Sequence, residues 1–258
     1  LKIKKKIYKN NLGIFINILN YCKKNSSKLI HISSTSVYGE QNGLVDENCI
    51  NLKPKSPYAE IKLIEEKLLQ KNIKEKNVLV TGAGGSIGSE ISRKVSINEP
   101  SSLILLDSNE FSLYSISEEL KLEFPNLKII TILGNVTNEK RMNYVCTNFK
   151  VHTIYHSAAY KHVPIVEQSP FEGVFNNIFG TLTCIRSALS SKVETFVFIS
   201  TDKAVRPTNT MGATKRAAEL VLQALSKQSN NTCLTMVRFG NVLDSAGSVV
   251  PLFREQIK

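Results

Sequence analysis

The chain of 258 residues contains no tryptophan and only three methionines, and it has no run of the roughly 18 apolar residues that a membrane-spanning helix needs. Its lysine-rich start leads into an amphipathic pattern, not the apolar core of a secretory signal, so a cytoplasmic location is expected. Cysteine is sparse and odd in number: Cys22, Cys49, Cys146, Cys184 and Cys233 are scattered without CxxC spacing. That argues against a disulfide framework and a zinc site, and predicts a reduced chain without metal. Acidic residues are few, 22 against 33 basic, giving a net charge of +11. Residues 1–76 hold 15 lysines and 7 acids. With little aromatic interleaving, this lysine excess reads as a solvated face and not as a nucleic-acid surface.

With 42% hydrophobic residues, the chain has material for one large α/β core or two small ones. From Val78 onward, apolar strands alternate with helices. The pattern predicts strands over Val78–Thr81, Leu103–Leu106, Lys128–Leu133, Thr153–His156, Thr195–Ser200 and Cys233–Phe239. It predicts helices over Ser86–Val95, 110–123, 137–148, 168–190 and Gly212–Ser226. Continuous apolar strands separated by helices imply a doubly wound, Rossmann-like parallel sheet covered on both faces.

Residues 1–75 read differently, as helix (8–24), strand (Leu29–Ser33) and helix (57–72), with no glycine-rich turn in front. They resemble a later part of the same chain. Asn10-Asn-Leu-Gly13 matches Asn177-Ile-Phe-Gly180, Leu29–Ser34 matches Phe196–Thr201, and Tyr58-Ala-Glu-Ile-Lys62 matches Met211-Gly-Ala-Thr-Lys215. The spacing of 21 positions from Gly13 to Ser34 recurs from Gly180 to Thr201. An internal repeat of one half-domain is the expectation, with a first unit over 1–75, a second over 76–258 and the junction near 71–77.

Thr81-Gly82-Ala-Gly84-Gly85-Ser86-Ile87-Gly88 follows a strand and opens a helix. Glycine permits the tight turn and lets backbone approach a pyrophosphate resting on the helix N-terminus. Asp107 stands 19 residues after Gly88 at the end of the next strand, where a carboxylate accepts hydrogen bonds from a ribose. It would repel a 2′-phosphate, so NAD is expected in preference to NADP. Asn135 and Val136 should flank the adenine, and the small Ala158 and Ala159 let a cofactor lie against the backbone. Lys161 is either a surface lysine or a contact to phosphate or nicotinamide ribose.

Several motifs then occur in one order: Ala158-Ala-Tyr-Lys-His-Val-Pro164, Asn177-Ile-Phe-Gly-Thr181, Ser200-Thr-Asp-Lys-Ala-Val-Arg-Pro207, Met211-Gly-Ala-Thr-Lys215 and Arg238-Phe-Gly-Asn-Val242. With the glycine turn they make residues 77–258 resemble the extended short-chain dehydrogenase/reductase superfamily. More narrowly they are similar to UDP-N-acetylglucosamine 4,6-dehydratases of polysaccharide biosynthesis, the CapD-like branch with methionine that retains configuration at C5. The resemblance implies hydride transfer from sugar C4 to NAD, elimination of water across C5–C6, and return of the hydride to C6. It also implies Thr201 near O4, Asp202 and Lys203 as acid and base, and Lys215 on the nicotinamide ribose.

Met211 occupies the place of the usual tyrosine. A thioether has no exchangeable proton, so Asp202 or a bound water would take the O4 proton. The alternative is a packing residue at a dead site. Asn241 is a candidate diphosphate or sugar contact, Arg206 is either a substrate or a surface residue, and Arg238 either faces substrate or braces its strand.

Residues 1–75 resemble the catalytic half of a nucleotide-sugar epimerase, with Ser34, Tyr58 and Lys62 in matching positions but no cofactor half. Against the family's pattern the substrate lobe is C-terminally truncated, and a homo-oligomer is expected. Other readings of the function are a nucleotide-sugar 4-epimerase, which needs only the C4 step, and a non-catalytic NAD-binding fragment.

Overall fold

The computed structural model describes residues 14–18, 55–70, 75–229 and 231–240. The chain divides into two compact units, residues 1–73 and 74–258. In the first, residues 14–18 are helical and α1 spans Pro57–Gln70. Ser56 starts α1: its hydroxyl accepts from the Ala59 amide at 3.1 Å and its carbonyl from the Glu60 amide, while Pro57 fills a position that needs no donor. On the helix surface Lys62 Nζ lies 5.9 Å from the centre of the Tyr58 ring. The expected strand Leu29–Ser33 lies outside the described residues.

In the second unit, β1 (Asn77–Thr81), α2 (Ser86–Ile97), β2 (Ser102–Asp107), α3 (Glu110–Glu123), β3 (Ile129–Leu133), α4 (Glu139–Asn148) and β4 (Thr153–His156) alternate. Then come α5 (Val163–Gln168), α6 (Pro170–Val174), a π-helical segment (Phe175–Phe179), α7 (Gly180–Ser190), β5 (Thr195–Thr201), a short turn of 3-10 helix (Asp202–Ala204), α8 (Thr210–Ser226) and β6 (Cys233–Phe239). The six strands are all parallel in the order β3-β2-β1-β4-β5-β6.

Side-chain alternation assigns the two faces. Val78, Val80, Leu103 and Leu105 pack with Val95, Leu113, Ile116 and Leu120 of α2 and α3. Leu79, Ile104, Leu106 and Ile154 point the other way, onto Met142, Val145, Cys184, Ile185 and Leu222 of α4, α7 and α8. Both faces are thus covered, the arrangement that continuous apolar strands require. Asparagine sets three of the helix starts. Asn109, Asn138 and Asn209 accept from the amides of Ser112, Arg141 and Gly212, three residues on.

The helix expected over 168–190 is broken. Proline disfavours helical backbone in the residue before it, and Ser169, before Pro170, adopts φ −132° and ψ 61°. The chain resumes as α6 and passes through the π-helical segment before α7.

Ile104 is fully buried between the two layers, whereas Leu133 on the edge strand is 50% exposed. Ile104→Ala should cost about 2–5 kcal/mol and Leu133→Ala less than about 1 kcal/mol. Urea-unfolding midpoints of the two variants check the difference.

Candidate active site

The order of the strands reverses direction between β1 and β4, and the chain leaves these two strands toward opposite faces of the sheet. A crevice opens at that point, beyond the C-terminal strand ends, where open α/β sheets place their ligands. Its walls come from turns pressed so close that side chains would not fit. Gly82 has φ +68°, and a Cβ there would lie 2.6 Å from the Ala158 nitrogen. A Cβ on Gly84 would meet Ser112 at 2.5 Å, and one on Gly88 would lie 1.9 Å from the Gly82 oxygen. The N-cap of α2 is Gly85, which supplies no side-chain cap, and the first turn of this 12-residue helix borders the crevice.

One end of the crevice, a cavity of about 240 Å³, is lined by Gly82, Gly84, Asp107, Asn109, Asn135 and Val136 among others. Asp107 is fixed by its own neighbours: Oδ2 accepts from the Gly84 amide at 2.8 Å and Oδ1 from the Asn109 amide at 2.9 Å. Two carboxylate oxygens offer about four acceptor positions, so acceptor capacity remains toward the cavity.

The other end is larger, about 660 Å³, and includes Ser86, Ile87, Gly88, Ala159, Lys161, Ser200, Thr201, Met211 and Lys215 in its lining. Gly82, Gly85, Ser157, Ala159 and Tyr160 line both ends, making them one trough. Lys215 is 6% exposed; its Nζ donates to the Ile199 carbonyl at 2.7 Å and stands 4.2 Å over the Phe198 ring. Burial pushes its amine down to about 7, against an upward pull from Glu219. Met211 is 4% exposed, in the first turn of α8. Gly212 beside it lets the turn after β5 pack onto that helix, since a Cβ would lie 2.4 Å from the Lys203 oxygen.

Thr201 joins the trough to the residues just outside it. Its hydroxyl donates to Asp202 Oδ1 at 2.9 Å, and this bond, with Lys203 nearby, holds the Asp202 carboxyl below the usual carboxylate range. Lys203 Nζ lies 3.6 Å from the same oxygen.

A buried polar chain braces the trough from beneath. His156 is fully buried between Thr81 Oγ1 (2.7 Å) and Thr181 Oγ1 (3.0 Å). Thr181 donates onward to the Asn177 carbonyl, so its oxygen accepts Nε2–H, and Nδ1 accepts from Thr81. Burial, reinforced by Lys215, pushes the imidazole down to about 3, consistent with this neutral form. The Asn177 side chain accepts from the Tyr160 amide and donates to the Tyr160 carbonyl and the Thr214 hydroxyl.

The family description "Polysaccharide biosynthesis protein" matches residues 78–258 of this chain. The chain belongs to that polysaccharide biosynthesis family. A second description, "NAD dependent epimerase/dehydratase family", matches residues 1–77. Within the polysaccharide biosynthesis family, the chain is 49% identical over 192 residues to the capsular polysaccharide biosynthesis protein CapD of Staphylococcus aureus, covering 74% of this chain and 32% of that protein. The chain thus spans about a third of the length of that curated relative. It is also 34% identical over 190 residues to a UDP-glucose 4-epimerase of Rickettsia rickettsii, covering 71% of this chain and 54% of that one. The crystal structure of Pen from Bacillus thuringiensis is similar with a TM-score of 0.67 and 40% identity, over 72% of this chain and 57% of that one.

For this member of the polysaccharide biosynthesis family, the structure brings most of the expected residues to the trough. Gly82, Gly84, Gly85, Ser86, Ile87, Gly88, Asp107, Asn135, Val136, Ala158, Ala159, Lys161, Thr201, Met211 and Lys215 all line it. Asp202, Lys203 and Arg206 follow β5 and are not in its lining. Arg206 is exposed with φ +52°. Asn241 and Ser34 lie outside the described residues. Arg238 braces its strand, through a two-pronged ion pair with Glu219. The lining also holds Tyr160, His162 and Glu172, with Asn177 behind it, none of which was given a role in the site from the sequence. Tyr160, His162 and Asn177 stand inside the ordered motifs, and that membership was the signal that could have found them. No motif carries Glu172. Among the described residues no helix is long and apolar enough to cross a membrane.

Gly88→Ala should cost about 1–3 kcal/mol, because backbone must move to admit the methyl. Gly85→Ala, with its nearest neighbour at 3.3 Å, should cost much less. Thermal unfolding of the two variants separates them.

Lys215 loses its proton near pH 7 in the folded chain and near 10.5 when unfolded. Between those values the unfolded chain binds more protons, so stability rises with pH. Below about pH 7 the amine is charged in both states and the burial cost is fully present. Lys215→Met should therefore exceed the wild type in stability at about pH 6, by roughly 1–3 kcal/mol, with the gain shrinking toward about pH 10. Urea midpoints across that range test this.

Proposed function

We propose that the protein is an NAD-dependent nucleotide-sugar 4,6-dehydratase acting on UDP-N-acetylglucosamine, and that this chain carries its cofactor site and part of its catalytic apparatus. The observation that carries the reading is the single trough with Asp107 at one end and Thr201, Met211 and Lys215 at the other. The cradle fits a dinucleotide: three glycines stand where any side chain would collide, beside a helix N-terminus without a side-chain cap and a carboxylate with acceptor capacity left. Gly82, Gly84, Gly85 and the first turn of α2 would hold the pyrophosphate, Asp107 the adenine ribose and Lys215 the nicotinamide ribose. NAD, when bound, supplies the acceptor that takes a hydride from sugar C4 and later returns it at C6.

The remaining chemistry falls to side chains. Met211 can neither give nor take a proton, so removal of the O4 proton needs another route. Thr201 provides one: its oxygen accepts the O4 proton as its own hydroxyl proton passes to Asp202 Oδ1, 2.9 Å away. Asp202 is held ionised, which suits a proton acceptor, and once protonated it becomes the acid that assists departure of the 6-hydroxyl. Lys203, beside it, is the base that would take the C5 proton and return it to C5 when the hydride adds at C6.

The identity with a UDP-glucose 4-epimerase favours a second reading, in which only the C4 step occurs. Product mass separates the two. With NAD and UDP-N-acetylglucosamine the purified protein should release a product lighter by one water; unchanged mass supports the epimerase. Asp202→Asn and Thr201→Val should each lower turnover by about 100-fold or more. Unchanged turnover in Asp202→Asn refutes the relay. Calorimetry with NAD and NADP should show preference for NAD.

A further inference from the structure

Glu219 is fully buried on α8, one helical turn after Lys215. A buried carboxylate is costly unless its oxygens are satisfied and its charge is met. Here four bonds meet it. Ser200 Oγ donates at 2.7 Å, Arg238 Nε at 2.8 Å and Nη2 at 2.6 Å, and Arg216 Nη1 at 2.9 Å. Ser200 and Arg238 are register partners on β5 and β6, so one carboxylate pins both strand ends to the helix. Burial alone would push it up, but the bonds from Arg238, Ser200 and Arg216 outweigh that and bring it down to about 2. It is a fixed negative charge at any ordinary pH.

Lys215 donates one of its hydrogen bonds to the carbonyl of Ile199, the residue before Ser200. Helix α8 therefore presses two opposite charges, four residues apart, against consecutive residues of β5. We infer that Glu219, locked by Ser200, Arg216 and Arg238, is a positioning residue whose fixed charge favours the charged form of the Lys215 amine at the wall of the trough. The inference rests on the proposed cofactor site for its purpose, since a charged amine is what would hold a ribose hydroxyl beside a nicotinamide.

Other ionisable groups on the elements packed against α8 act less directly. His156 on β4 is neutral. Asp202 and Lys203 offset one another in the turn after β5. Glu167 on α5 is engaged by Thr210, and Glu172 on α6 borders the trough but is itself exposed.

The test reads Lys215 directly and needs no cofactor. In protein carrying ¹³C-labelled lysine, the resonance lost in Lys215→Met identifies the residue, and its shift is followed against pH. Glu219→Gln keeps the shape and removes the charge, and should lower the midpoint by about one pH unit. Ser200→Ala, which keeps the charge, should leave it in place. Arg238→Gln frees the carboxylate of one counter-charge and should raise it, which keeps the inference testable if Glu219→Gln fails to fold. A midpoint unmoved in either charge variant overturns the inference. Calorimetry of the wild type with NAD is a separate readout: no binding there defeats the cofactor reading while the titration still decides the role of Glu219.

Discussion

Where β1 and β4 end side by side, the backbone at Gly82 runs so close to Ala158 that no Cβ fits between them. That approach fixes the floor of the trough. It sets the angle at which α2 leaves the sheet, and so the direction of the helix's amide end. It also sets where the Ala158–Lys161 segment passes, because Tyr160 is then clamped by Asn177 and the His156 chain ties Thr81 to Thr181 underneath. The site is a set of backbone surfaces brought into contact, with a few charged side chains placed at the two ends.

Those charged groups divide the work by burial. Asp202 and Lys203 stand toward solvent, where a carboxylate stays ionised and can exchange protons with water. Lys215 in the wall and Glu219 behind it are buried, where charge is costly: burial pushes the amine down, while the carboxylate stays ionised through its bonds to Arg238, Ser200 and Arg216. Thr201 sits between the two groups, with one side in the trough and its hydroxyl on Asp202. Electrostatic effects are strongest on the dry side and proton exchange easiest on the wet side, which is a sensible separation for a reaction that needs both.

Much of this was legible in residue order. The apolar strands and the glycine turn each obey local rules, and the six strands form where the hydrophobic runs stood. The parts that were hidden depend on distant partners. Glu219 four positions after Lys215 on a helix reads as an ordinary surface pair, and only the fold shows Ser200 and Arg238 reaching it from two strands. Asn177 was visible as part of a repeat, but its grip on Tyr160 spans 17 residues of chain. The break at Ser169 was readable from Pro170 and was overridden by the long helical periodicity around it.

The π-helical turn at Phe175–Phe179 sets the rotation of the helix beyond it. Adding or removing one residue in a helix rotates all later positions by about 100°. With the present spacing Asn177 reaches Thr214, and Gly180 faces Val136 so closely that a Cβ would lie 2.9 Å from it. The count of residues between Pro170 and Gly180 is thus itself a structural quantity. A single insertion or deletion there would re-aim the back wall of the trough even if every side chain that lines it were kept.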